Sequence, residues 1–308
     1  MHVKKLLNTL KKLLALGFFI LAGWLLYQKL RIYSLEEIRL SLLEIPPSSL
    51  LLSLLMVFII YATVMIGYDW LALKAIRKMV NFRRLVMVSF VGGVVGYNFG
   101  ALLAGGAVRY RLYSAWGFTP MDIFRLVLML ALTFWVGALG LGGIIFLIAP
   151  PVLPPELGLG AEYVRPLGAV LVITCLAYLW ICAIAKGGNF TIFGKVFLLP
   201  PLHIAVAQTL VAGAEMTMVA FCLYLLLPTE ISFLEFLPSY VMAQAVVVLT
   251  HVPGGVGVLE AVLLNLLPGI PSQIFAVLVM FRVIFYLIPL VFAACIMGLH
   301  ELHLRRSA

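Results

Sequence analysis

Eight apolar stretches, at 13–27, 50–71, 85–107, 126–149, 166–185, 202–227, 239–268 and 272–298, take up most of this chain. A helix needs about 20 apolar residues to cross the hydrocarbon core of a bilayer. A soluble core cannot absorb so many runs of that order. Of the 308 residues, 64% are apolar and 11% charged, against about 45–50% and 25% in ordinary globular domains. The expectation is an all-α polytopic membrane protein, a single integral-membrane domain over 1–308. Lys and Arg outnumber Asp and Glu by nine, but no basic, aromatic-studded soluble segment exists to carry nucleic-acid binding. Cys175, Cys182, Cys222 and Cys295 lie in apolar runs without metal-ligand spacing and read as small buried hydrophobes.

Lys4, Lys5, Lys11 and Lys12 precede the first run, and no small-x-small cleavage site follows it. This predicts an uncleaved signal-anchor helix with a cytoplasmic N-terminus. Two later runs are unlike the rest. The 85–107 run holds Gly92, Gly93, Gly96, Gly100, Gly105 and Gly106 around Asn98, and the 239–268 run is broken by Pro253, Gly254, Gly255 and Gly257. Broken backbone at membrane depth survives only where protein or a wet cavity covers it. Both runs are therefore expected to be re-entrant helical hairpins, leaving six full spans.

The basic residues select that arrangement. With both hairpins returning to the side they entered, Lys4, Lys5, Lys11, Lys12, Lys74, Arg77, Lys78, Arg83, Arg84, Arg109, Arg111, Arg125, Lys186, Lys195, Arg305 and Arg306 are cytoplasmic. Only Lys29, Arg31, Arg39 and Arg165 are outside, and Arg282 is left within the last span. Letting both runs, or only the first, cross once erodes this asymmetry, contrary to the positive-inside rule. Both termini are then cytoplasmic, the second at a tail of residues 299–308. The order helix, hairpin, helix occurs at 50–149 and, inverted, at 202–298, with 1–49 as anchor and loop and 150–201 as a connecting span. The Gly105-Gly106 pair stands 149 residues before Gly254-Gly255. Inverted repeats with interrupted helices meeting near the midplane are a common transporter design; glycines that merely permit close helix packing are the alternative.

Several stretches carry a resemblance. They are Gly67-Tyr68-Asp69, the run from Gly105 to Ser114, Tyr178-Leu179-Trp180, the run from His251 through Pro253-Gly254-Gly255 to Ala261, and Arg282 to Pro289. Together they resemble the YbhN-like inner-membrane proteins of the lysylphosphatidylglycerol synthase transmembrane-region family. The bifunctional members join a lipid flippase region to a soluble aminoacyl-transferase. With no such domain before Ala308, the resemblance implies lipid handling without aminoacyl transfer. Glu215 departs from the uncharged or aromatic residue expected of the family there.

An ionised group at membrane depth marks a site or a partner. Glu260 either contacts substrate and titrates, or pairs with Arg282 and caps the broken backbone. Arg282, with Tyr286 one turn on, presents a fork suited to a phosphate or to the Glu260 carboxylate. Arg109 and Arg111, leaving the first hairpin beside Tyr110, are candidates for an anionic headgroup or ordinary cytoplasmic anchors. Glu215, with Gln208 on about the same helical face, is a candidate for ion coupling. Asp69 reads as a structural partner of Lys74 or Arg109 or, with Glu215, as a coupling group, Asn98 as a cap on hairpin backbone, and His251 as structural or pH-sensing in such coupling.

Walker, HExxH and exposed Ser/His/Asp patterns are missing, so neither an enzyme, a metal nor a cofactor is expected. The best reading is movement of an anionic or headgroup-bearing lipid between leaflets. The alternative is a membrane scaffold or regulator of a lipid-synthesis or lipid-modifying enzyme.

Overall fold

The computed structural model describes residues 35–153, 160–192, 195–228, 231–250 and 252–307. The expected signal anchor at 13–27 and His251 lie outside them. Among the described residues the chain forms ten helices and one small hairpin of strands. Helix α1 is Leu35–Leu43, and α2 is Pro47–Ala75, interrupted by a π-helical turn at Ile60–Val64. Helix α3, Phe82–Phe99, is followed by a π-turn at Ala101–Gly105 and by α4, Gly106–Ala115. Helices α5 and α6 are Pro120–Ile148 and Ala161–Ala185. Strands β1 (Asn189–Ile192) and β2 (Lys195–Leu198) pair antiparallel; this hairpin is an addition to the all-α expectation. Then come α7 (Leu202–Tyr224), α8 (Phe233–Thr250), a 3₁₀ turn at Pro253–Gly255 and α9 (Val258–Leu266). Helix α10 runs Pro271–Phe281, through a π-turn at Arg282–Leu287, into Ile288–Ser307.

Helix starts follow local chemistry. Pro47, Pro120 and Pro271 occupy first-turn positions, where a missing N–H costs nothing. Thr119 and Asp122 form a reciprocal capping box at the start of α5. Asn81 accepts from the Arg84 amide at 2.9 Å to start α3.

Six helices are long and apolar enough to cross a membrane: Pro47–Ala75, Pro120–Ile148, Glu162–Ala185, Leu202–Tyr224, Phe233–Thr250 and Pro271–His300. Five coincide with expected full spans. The sixth, α8, is the first arm of the second interrupted segment. The expected sixth full span, the N-terminal anchor, lies outside the described residues.

Both glycine-rich segments reverse direction, and they do so alike. Each has an 18-residue first arm, α3 or α8, followed by a ten- or nine-residue return, α4 or α9. At 1.5 Å per residue the returns are about 15 Å long, half the hydrocarbon thickness. In the first hairpin the arms touch backbone to backbone. A β-carbon on Gly105 would come within 2.9 Å of the Gly92 carbonyl oxygen and 3.1 Å of the Gly96 α-carbon. Any larger residue at 105 would push the arms apart. In the second hairpin Gly254 adopts φ +63°, ψ 4°, a left-handed turn that glycine makes without strain.

The core follows the helices. One large apolar cluster joins α2, α3, α7, α8 and α10, with Ile60, Phe236, Tyr240, Phe281 and Phe285 almost wholly enclosed. A second, around Leu71, Leu73, Leu112, Tyr113 and Leu126, packs the ends of α2, α4 and α5. Cys175, Cys182 and Cys222 are buried as expected, but Cys295 is exposed on α10. Its apolar neighbours Val291, Phe292 and Ile296 are exposed too, as suits a helix face turned toward lipid.

Candidate functional site

The site lies where the two hairpin tips meet. Gly254 abuts the carbonyls of Tyr97 and Asn98, so that a β-carbon on it would fall 3.2 Å from the Asn98 oxygen. Behind this contact runs the π-turn of α10, whose cause is Pro289. Proline lacks an N–H and its ring crowds the carbonyl four residues earlier, here Phe285. The Phe285 carbonyl instead accepts from the Tyr61 hydroxyl at 3.2 Å, and Tyr61 stands in the π-turn of α2. Asn98 completes the junction, donating to the Val94 carbonyl at 2.9 Å and to the Tyr286 carbonyl at 3.4 Å. The backbone-capping reading of Asn98 therefore describes its geometry.

Arg282 opens the same π-turn and ties down the second tip. Its guanidinium donates to both oxygens of Glu260, through Nε and through Nη2, the latter at 3.0 Å. Nη1 reaches the Gly254 carbonyl at 2.9 Å and Nη2 the Gly255 carbonyl at 3.0 Å. Glu260 accepts from the Gly257 amide at 2.8 Å and so caps α9. The pair is buried, with 13% of the Arg282 side chain and 5% of the Glu260 side chain exposed. The Tyr286 ring lies 5.3 Å from the guanidinium carbon, within cation–π range. Of the alternatives for Glu260, pairing and capping are both present in this structure.

Glu215, on α7, makes a second node. Tyr68 of α2 and Tyr97 of α3 each donate a hydroxyl hydrogen bond to it, one per carboxyl oxygen. The Tyr97 ring also packs edge-on against Phe285 and Tyr286, at centroid separations of 5.0 and 6.3 Å. The two nodes are thus joined through aromatic side chains. Gln208 does not share the Glu215 node. It donates to Thr133 at 2.8 Å and accepts from Tyr178 at 3.1 Å, bolting α5 and α6 to α7.

A third node holds Arg109. Its Nε and Nη2 donate to Asp69 at 2.9 and 2.7 Å, a parallel bidentate fork, and both side chains are buried. Tyr113 donates to the same carboxylate at 3.4 Å. Asp69 therefore takes Arg109 as its partner, while Lys74 is exposed with its ammonium 5.2 Å over Trp70. Tyr110 and Arg111 are exposed. Residues one or two apart on a helix do not share a face, so Arg109 is not on one headgroup surface with them.

No family model matches the chain. Two curated relatives do. The inner membrane protein YbhN of Escherichia coli (strain K12) is 33% identical over 229 residues, 73% of this chain and 72% of that protein. An uncharacterized protein of Synechocystis, slr0712, is 35% identical over 248 residues, 78% of this chain and 76% of its own. The chain belongs to the YbhN-like family of inner-membrane proteins. With its apolar helices it is a multi-pass membrane protein.

Within this YbhN-like chain, sequence reading reached Glu260, Arg282, Asp69 and Glu215 because charge in an apolar run is conspicuous. It missed Tyr68 and Tyr97 as partners of Glu215, although Tyr68 stands in the Gly67-Tyr68-Asp69 stretch and Tyr97 precedes Asn98. A tyrosine in an apolar run gives no such signal, since its ring suits the core and its hydroxyl is satisfied by any nearby acceptor. Two surface depressions of about 440 and 220 Å³ lie apart from these nodes, near Pro228, Gly269 and Gln273.

Proposed function

We propose that this protein moves an anionic, headgroup-bearing lipid between the leaflets of the inner membrane, with Arg282 as the headgroup site and without catalysing a covalent step. The observation that carries the reading is the position of the Arg282–Glu260 pair at the junction of two interrupted helices. A buried ion pair is a poor stabiliser compared with apolar residues of the same shape. Its presence inside a membrane bundle therefore asks for a role. A guanidinium fork donates to phosphate oxygens in the geometry with which it donates to a carboxylate. In the closed arrangement Glu260 fills that fork, and a phosphate headgroup would take its place.

The hairpins supply the motion. Their return arms are too short to span, and the basic residues favour a first hairpin entering from the cytoplasm and a second from outside, with both termini cytoplasmic. Rocking one helix–hairpin–helix unit against the other would open the junction to each leaflet in turn. Tyr110 and Arg111, exposed at the end of α4, would meet headgroups at the cytoplasmic surface. The acyl chains stay in lipid throughout.

Reconstituted vesicles holding headgroup-labelled phosphatidylglycerol test this through a membrane-impermeant quencher. The proposal expects faster loss of protected label than in protein-free vesicles, and a smaller effect on a zwitterionic lipid. A second reading, a scaffold or regulator for a lipid-modifying enzyme, draws on the fact that Arg282, Glu260, Arg109 and Asp69 are all closed in pairs. A scaffold would leave the label moving at the protein-free rate.

A further inference from the structure

We infer that Glu215 carries a proton whose passage drives the lipid movement proposed above, a role that rests on that transport reading. Asp69 has Arg109, Glu260 has Arg282 and Asp122 has Lys78. Among the described residues no Lys, Arg or His forms an ion pair with Glu215, although it is buried to 6% exposure in the middle of a membrane helix. An unpaired carboxylate in that setting is costly, whereas the protonated acid carries no such cost.

The surroundings suit a proton better than a metal ion. Phenols from four helices gather about Glu215: Tyr68 of α2 and Tyr97 of α3 in contact, Tyr61 of α2 and Tyr240 of α8 close enough to act on it electrostatically, and Tyr286 of α10 against Tyr97. Cys222 stands two turns along α7 itself. The nearest opposed charges, Asp69 with Arg109 and Glu260 with Arg282, neutralise one another. Among the described residues no group of three His, Cys, Asp or Glu gathers to hold a metal. One carboxyl between two phenols is a poor cation cage, whereas phenols serve either protonation state, donating to the ionised form and accepting from the acid.

The site also bridges the two halves of the fold. Glu215 is on α7, the first helix of the second unit, whereas Tyr68 and Tyr97 belong to α2 and α3 of the first. Ionised, Glu215 accepts from both phenols; protonated, it is neutral, donating through one oxygen to a phenol whose hydroxyl turns away and accepting from the other phenol. On release of that proton to water, the desolvated charge favours parting of α7 from α2 and α3 until water reaches the carboxylate. Reprotonation from the opposite side restores the contact. One proton enters from water and one leaves to water per cycle, with no bond to carbon or phosphorus changed.

Two measurements test this on the full chain in bilayers. Infrared difference spectroscopy across a pH titration should show the C=O stretch of a protonated carboxylic acid that Glu215→Gln removes and Tyr97→Phe shifts. A carboxylate spectrum for Glu215 throughout the titration would overturn the proton site. In vesicles with headgroup-labelled phosphatidylglycerol, an imposed pH gradient should accelerate lipid movement in the wild type, and Glu215→Gln should lose that acceleration. Retained acceleration in Glu215→Gln, or acceleration by a sodium gradient alone, would refute proton coupling while leaving transport standing. No lipid movement by the wild type would remove the transport reading and the coupling together, and the infrared band would still report whether Glu215 holds a proton.

Discussion

Gly254 and Asn98 are 156 residues apart in the chain, yet a β-carbon on Gly254 would fall 3.2 Å from the Asn98 carbonyl oxygen, a tight contact. This is the contact through which the two hairpins meet. A Gly254→Ala variant would have to hold a left-handed conformation, costing roughly 1–2 kcal/mol, and would crowd the Asn98 oxygen as well. The expected result is a lower melting temperature in detergent for Gly254→Ala. An unchanged melting temperature would show that the tips do not meet as described.

The Asp69–Arg109 pair allows a sharper contrast. Asp69→Asn leaves a buried guanidinium without its counter-charge, a change that costs about 3–5 kcal/mol at buried pairs. Arg111→Ala, two residues along on the exposed side of α4, should cost less than about 1 kcal/mol. Thermal unfolding of the two variants side by side checks this. Equal losses would contradict the assignment of Arg109 to the interior and Arg111 to the surface.

How much of this was legible in the sequence depends on the kind of residue. Five of the spans and the two interruptions at glycine were legible, because apolar length and glycine density act locally and need no knowledge of the fold. Arg282 with Glu260 was legible as one of two alternatives, since few charges at depth leave few partners. The partner of Asp69 was not. Lys74 is five residues away in sequence and Arg109 forty, and only the return of α4 along α3 brings the second one in. The Tyr68 and Tyr97 grip on Glu215 was hidden for the same reason, as three helices must converge before it exists. The π-turn of α10 follows from Pro289, yet the carbonyls it frees acquire meaning only when Tyr61 and Asn98 arrive from elsewhere.

Membrane placement of the hairpins yields a labelling prediction. Met121 and Leu234 are both well exposed, at 57% and 72%, and flank the first and second hairpins. In a background without native cysteines, Met121→Cys should react with an impermeant maleimide only from the cytoplasmic side and Leu234→Cys only from outside. Reaction of Met121→Cys from outside would remove the re-entrant arrangement and the inverted repeat with it.

The central claim is that Arg282 serves the lipid headgroup as well as the fold, and one double variant separates the two roles. Glu260→Gln and Arg282→Gln should each destabilise the protein, because each strands a buried partner, at a cost of about 3–5 kcal/mol for such pairs. The arginine variant should lose more, since it also releases the Gly254 and Gly255 carbonyls. Combining the two removes both charges and should recover part of the stability. The decisive measurement is movement of labelled phosphatidylglycerol in vesicles containing the folded Glu260→Gln/Arg282→Gln protein. The account expects the protein-free rate; movement at the wild-type rate would contradict it.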